Sequence, residues 1–428
     1  MQRSLVAVLS GTFTLRFSTG LTGTLLVYYL ADLPRHGGAS VDPTVVGLLA
    51  AMFFVAELVL SPPFGMLSDR LGQRPVMQLG PGFGAIAVVL TGLTTSIPLL
   101  GLTRLLEGGS SAASVPSILG YVARATADDE PLRGRAVARF ELATLAGLGA
   151  GMVAAGPCYQ LIGRTAFFLN ALIYVGSWVI YRFGVRELPI AAGPLEPPPR
   201  PGLRRYAGLL ASSQVWLLAP TWIAVNAAIG LWTSQSLYQL VRRADSPIAH
   251  RQLLMGGFTP TQVSVGLSVG LLVFFAGLLY WGGRFRTLRR TTIILAGIVG
   301  GAFSMGCTFV VNHSGGAPVL VPIVFVLGAA IGLFVLAGAT PAALGLLADV
   351  SEGHPHDRGT IMGLYSVFLA LGQVTGSLVG GAAARWQGID GLLGATMVLL
   401  AIAVIPLWRL RAFEHQLDTG AARLRSEP

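Results

Sequence analysis

Residues 65–75 read Gly-Met-Leu-Ser-Asp-Arg-Leu-Gly-Gln-Arg-Pro. They separate two apolar stretches, 44–65 and 76–97, each long enough to cross a bilayer, for which roughly 20 apolar residues suffice. The residue types suit a hinge or gate at the end of a helix pair. Gly65 permits close helix approach. Asp69 can face a helix N-terminus, where unpaired N–H groups favour an anion. Arg70 and Arg74 can pair with carboxylates or carbonyls. A polar turn with a positive flank would share this composition but would not need this spacing.

Reading outward, the rest of the chain repeats the pattern of long apolar runs. Of 428 residues, 53% are hydrophobic and only 11% are charged, against roughly 25% charged in soluble domains. One soluble core could not hide that much apolar surface, whereas lipid accepts it. Spans are predicted at 5–30, 44–65, 76–97, 98–123, 137–162, 166–184, 208–240, 262–282, 291–312, 319–347, 360–384 and 391–410. The fold class is therefore an all-α membrane protein of about twelve transmembrane helices. The net charge of +10 does not indicate nucleic acid, because no dense basic run is interleaved with aromatics. All the basic residues are Arg, as in proteins of GC-rich genomes. Cys158 and Cys307 lie in or beside apolar spans and read as unpaired thiols. The N-terminal stretch lacks an Ala-x-Ala cleavage pattern and reads as a retained first helix.

Arginine placement orients the chain. With both termini cytoplasmic, Arg residues of the short connections and tails fall overwhelmingly on the inner side. Residues 186–206 are polar and proline-rich, a pattern of extended linkers. The expected domains are thus 1–185, a six-helix bundle; 186–206, a cytoplasmic linker; 207–412, a second six-helix bundle; and 413–428, a cytoplasmic tail. A shift of 225 positions aligns Pro116 with Pro341, Arg133-Gly134 with Arg358-Gly359, and Gly147, Gly151 and Gly156 with Gly372, Gly376 and Gly381. Two pseudo-symmetric halves enclosing a midplane site are a common transporter plan.

Gly65, Asp69, Arg70, Gly72 and Arg74 resemble the signature loop that the major facilitator superfamily carries between its second and third helices. The second-half counterpart, Gly282 to Arg290, keeps glycine and basic charge but lacks the Asp. Arg104-Leu-Leu-Glu107-Gly108 resembles the family's Arg-x-x-Gln-Gly pattern, with Glu107 in place of Gln. Gly147, Gly151 and Gly156-Pro157 resemble an element of the exporter subgroup, although Gln160-Leu161 stands where two glycines are usual. The resemblance implies alternating access, a central cavity lined by helices 1 and 4, and a gate in which Asp69 docks near Arg358 at the start of span 11.

Five ionisable residues fall inside apolar spans: Arg16, Glu57, Arg104, Glu107 and Glu141. Embedded charges are costly and face cavities or each other. Arg16 and Glu107 are near mid-depth, so an Arg16–Glu107 pair is expected, with Arg104 one turn from Glu107 on the same face. These residues, with Glu57, are candidates for proton coupling or substrate contact. Glu141 reads as interfacial. Asn170, Trp222, Asn226, Gln235 and Gln373 are candidate cavity residues. Gly80-Pro81-Gly82-Phe83-Gly84 imitates a phosphate loop but lacks its strand and Lys. With no nucleotide-binding domain, transport would draw on a gradient. No enzyme activity, cofactor or metal site is expected; the partners are a small-molecule substrate, protons and the bilayer. The leading expectation is an antiporter performing proton-coupled efflux of a small amphipathic drug or metabolite across a bacterial plasma (inner) membrane. The alternatives are import of a small polar solute in the same fold, or a non-transporting assembly or lipid-handling protein on this scaffold.

Overall fold

Each long apolar run forms a helix whose start is set by a local signal. Asp42 accepts the Thr44 N–H at 2.8 Å ahead of Pro43, and Asp129 accepts the Leu132 N–H at 2.8 Å; both satisfy donors that a helix start leaves open. The computed structural model describes residues 2–127, 129–187, 218–242, 246–352 and 358–412, apart from the side chains of 2, 130, 131, 285, 286 and 347–365. Its helices are α1 (Gln2–Asp32), α2 (Pro43–Leu71), α3 (Gln73–Leu93), α4 (Ile97–Ala125), α5 (Glu130–Ile162), α6 (Ala166–Val179, prolonged by a π turn at Ile180–Gly184), α7 (Leu218–Val241), α8 (Pro260–Gly282) and α9 (Arg290–Asn312). Then come α10, in two segments (Leu320–Leu336 and Ala339–Glu352), and one helical run, Arg358–Val404. Gln387 (φ −139°) and Gly388 (φ 59°) break that run into α11 (358–386) and α12 (389–404).

Seven helical stretches are long and apolar enough to cross a membrane. Two of them, Leu132–Gly184 and Ser366–Ala412, have 53 and 47 residues, room for two spans each at roughly 20 residues per span. The helices outside that set are α1, α4 and α7, which carry buried polar groups such as Thr22, Arg104, Glu107 and Gln235. By contrast, the first segment of α10 turns Leu320, Ile323, Val326 and Leu327 outward, a surface that only lipid satisfies. The chain is a multi-pass membrane protein with about twelve helices in two pseudo-symmetric bundles.

Two compact units are present. The first comprises Met1–Gly193, Leu237–Arg243 and Gly256–Ser268; the second comprises Pro194–Ser236, Ala244–Met255 and Val269–Pro428. Hence the end of α7 and the beginning of α8 belong with the first unit, where the Tyr28 hydroxyl donates to Pro260 O at 3.4 Å and Gly156 N to Ser264 Oγ at 3.1 Å. In the first unit α1 packs on α5 and α6, α2 on α4, and α3 on α4 and α6. In the second, α9 packs on both segments of α10. Nearly all of the expected linker 186–206, and the tail 413–428, lie outside the described residues.

The expected end of span 2 at residue 65 needs correction. Helix α2 runs on to Leu71, past Pro62 and Pro63, because a membrane helix tolerates proline where neighbours satisfy the freed carbonyls. The motif's loop shrinks to Gly72, whose φ of 95° is one that residues with a Cβ rarely adopt. The narrow gap expected near 97 is a three-residue connection at Thr94–Ser96. Cys158 and Cys307 are both free thiols.

Candidate functional site

The polar centre of the first unit is built on α4. From Arg104 onward this helix buries Arg104, Glu107, Ser110, Ser111, Ser114 and Ser117, polar groups at three- and four-residue intervals that share one face. Arg104 Nη1 forms an ion pair with Glu107 Oε2. Its Nε donates to Leu49 O at 3.4 Å, and its guanidinium lies 4.8 Å from the centroid of the Phe53 ring, a cation–π arrangement. Glu107 is 2% exposed and its Oε1 has no hydrogen-bond partner. A carboxylate half-satisfied in this way is costly in an apolar interior, and the free oxygen is available to a proton or a substrate donor.

A second set lies one turn along α4. Arg16 Nη1 donates to Ser111 Oγ at 3.1 Å, and the Ser111 hydroxyl donates to Glu57 Oε1. The expected Arg16–Glu107 pair is therefore replaced by two separate sets, Arg104–Glu107 and Arg16–Ser111–Glu57. Arg104 already fills the partner position on Glu107's own helix, while Arg16 on α1 meets Ser111, one turn further along. Glu141, near the start of α5, is exposed. Gly108 fixes the distance between α2 and α4, since a Cβ there would strike Phe53 O and Ala56.

Asn170, a candidate cavity residue, is fully buried between α6 and α1. Its Nδ2 donates to Ser18 O at 3.0 Å and Thr22 Oγ1 at 2.6 Å. Tyr174, one turn on, is fully buried with its ring against Gly84 of α3. The second unit repeats this use of polar side chains between helices. Trp222 is buried among apolar residues, and Asn226 Nδ2 donates to Trp222 O at 2.9 Å on its own helix. Gly372 abuts Asn226, Gly230 abuts Gln373 and Gly380 abuts Gln235, so Asn226, Gln235 and Gln373 lie along the α7–α11 contact.

At the motif end of the first unit, Arg74 Nη2 donates to Arg182 O and Arg124 Nη1 to Gln73 Oε1 at 2.9 Å. The Tyr121 hydroxyl donates to Arg186 O at 3.1 Å. The Glu187 carboxylate rests against Gly72, in space a Cβ would need. Asp69 and Arg70 are exposed, and among the described residues Asp69 makes no ion pair. Gly65 faces Pro116 of α4. The Arg358 side chain lies outside the described residues. Ser111, Tyr174, Phe53 and Glu187 were not singled out from the sequence; the serine run after Glu107, at helical spacing on a charged face, was the available signal for Ser111.

The chain matches the family model described as Major Facilitator Superfamily over residues 8–256 and again over 246–426. It is 23% identical over 350 residues to Multidrug resistance protein 1 of Bacillus subtilis, covering 79% of this chain and 80% of that protein. It is 29% identical over 168 residues to the class B Tetracycline resistance protein of Escherichia coli, covering 38% and 40%. Among solved structures, the nucleoside transporter NupG superposes with a TM-score of 0.73 at 12% identity, over 96% of this chain and 99% of that one. These matches define a membrane transporter of small molecules. The chain belongs to the Major Facilitator Superfamily.

Proposed function

We propose that this transporter is a proton-coupled antiporter that exports a small amphipathic molecule by alternating access. The observation that carries the reading is the Arg104–Glu107 pair, buried in α4 with one carboxylate oxygen unpartnered. A carboxyl group that exchanges an arginine partner for a proton as its surroundings change is the minimum device for coupling. Glu57, tied to Arg16 through Ser111, is the second acid within the same unit. Resemblance to proteins named for multidrug and tetracycline resistance favours export. Asp69 is assigned to the gate, docking near Arg358, and both termini and the linker to the cytoplasmic side of a bacterial plasma membrane. Uptake of a polar solute in the same fold is the alternative, and the likeness to a nucleoside transporter is the observation behind it.

The test is transport in proteoliposomes with an imposed pH gradient and a fluorescent lipophilic cation as probe. Antiport predicts that the cation accumulates in vesicles with an acidic lumen and leaves when a protonophore is added. Accumulation that ignores the gradient, or that follows protons inward, would overturn export by exchange.

A further inference from the structure

We propose that the notch where α9 begins and α12 ends binds an anionic glycerophospholipid. Pro406 breaks α12: Ile405 N reaches back to Ile402 O at 3.3 Å, and the helix resumes so that Leu410 N meets Pro406 O at 3.0 Å. Leu407 and Leu410 bury themselves in the second unit's core, which anchors the resumed turn. The break leaves Ile405 69% and Trp408 71% exposed. Between them and α9 lies a cavity of about 330 Å³, walled by Thr291 and Leu295 on one side and Val404, Ile405, Trp408 and Arg411 on the other.

The chemistry of the walls is graded. Leu295, Val404 and Ile405 lie inside the span and offer an acyl chain apolar contact. Thr291 and Arg411 lie at the helix ends, at headgroup depth, and Trp408 is of the type that settles at the membrane interface. Along the two stretches that flank the notch the charge has one sign: residues 283–290 and 405–412 hold Arg284, Arg286, Arg289, Arg290, Arg409 and Arg411 and no Asp or Glu. Basic pockets between membrane helices attract anionic headgroups. A zwitterionic lipid would bring its own cation into that field, and a cationic amphiphile would be repelled by it. The occupant is therefore a lipid with a net negative headgroup, one acyl chain in the notch and its phosphate on Arg411. The site lies apart from the α4 charge sets, so it stands whichever way the substrate moves.

The full-length protein, purified in micelles containing equal phosphatidylglycerol and phosphatidylcholine, can be examined by native mass spectrometry for retained lipid. The expected result is phosphatidylglycerol retained several-fold over phosphatidylcholine, with no competition from soluble glycerol phosphate. Arg411→Gln should lower that retention at least threefold, and Ile405→Trp, which fills the notch, should abolish it. Arg251→Gln removes the same charge elsewhere and should change nothing. Equal retention of the two lipids, equal loss in Arg411→Gln and Arg251→Gln, displacement by glycerol phosphate or displacement by a lipophilic cation would each overturn the proposal. If Ile405→Trp does not fold, Leu295→Trp fills the same space from α9.

Discussion

Arg104 and Glu107 pair within one turn of α4, and the pair uses only one of the two carboxylate oxygens. Two consequences compete at this position. If Glu107 only neutralises Arg104, its removal leaves a buried cation and should damage folding by about 3–5 kcal/mol. If it carries the proton, Glu107→Gln should keep its shape and lose only the coupling. The expected outcome is folded protein that no longer accumulates probe against a pH gradient but still exchanges it without one. Gradient-driven transport at the parent level would move the assignment to Glu57.

The Arg16–Ser111–Glu57 chain predicts a small change with a measurable signature. Ser111→Ala deletes the hydroxyl that receives from Arg16 and donates to Glu57. Hydrogen bonds to charged groups contribute roughly 1.5–3 kcal/mol, so the unfolding midpoint in detergent should fall accordingly. Glu57→Gln combined with Ser111→Ala should cost less than the sum of the two, because both remove the same link. Strict additivity would mean that the link contributes nothing.

At the signature motif two neighbouring positions should fail differently. Gly72 combines a φ of 95° with the Glu187 carboxylate in its Cβ space. Gly72→Ala is expected to strain the turn by about 1–3 kcal/mol and displace Glu187, lowering both thermal stability and transport. Asp69 is exposed and without an ion pair among the described residues, so Asp69→Asn should leave stability unchanged while transport falls. A matching loss of stability in both variants would remove Asp69 from the gate.

Gly151 and Gly376 are 225 positions apart (376 − 151) and make equivalent contacts, Gly151 on Phe17 O of α1 and Gly376 on Ala227 O of α7. Gly147 on Phe13 O and Gly372 on Ile223 O repeat the match. Gly151→Val and Gly376→Val should each overpack their seam by at least about 1–3 kcal/mol. The measurement is the yield of monodisperse protein and its melting temperature; similar losses at both positions are expected, and a neutral Gly376→Val would break the equivalence.

How far the sequence could be read follows from which constraint acts on each residue. The bilayer imposes one length on every span, so the helices stand out even where Thr94–Ser96 or Gln387-Gly388 barely separate them. The 225-position repeat was visible chiefly through Pro116 with Pro341 and Arg133-Gly134 with Arg358-Gly359, residues less common here than glycine. Partner choice was not visible. Arg16 reaches Glu57 through Ser111 while Glu107 takes Arg104 of its own helix, a choice that spacing along the chain does not encode. Asn170 and Asn226 stood out as buried amides that need partners, but the sequence does not say which: Asn170 finds Ser18 and Thr22 on α1, and Asn226 finds Trp222 O on its own helix. The polar residues of the motif made α2 look as if it ended at Gly65, although the helix carries them on to Leu71.

The glycine seams also have a mechanical meaning. Where Gly147 and Gly151 bring α5 onto the backbone of α1 at Phe13 and Phe17, the glycines put no side chain of their own into the contact. Such a pair behaves as a laminated beam, stiff against bending and with one preferred register, and α7 with α11 forms its counterpart. Shape change during a working cycle must then be absorbed at joints outside the beams, such as the proline-bearing stretch of α2 or the split in α10 at Ala337-Gly338. Probes fixed on α1 and α5 should hold a constant spacing while probes spanning those joints do not.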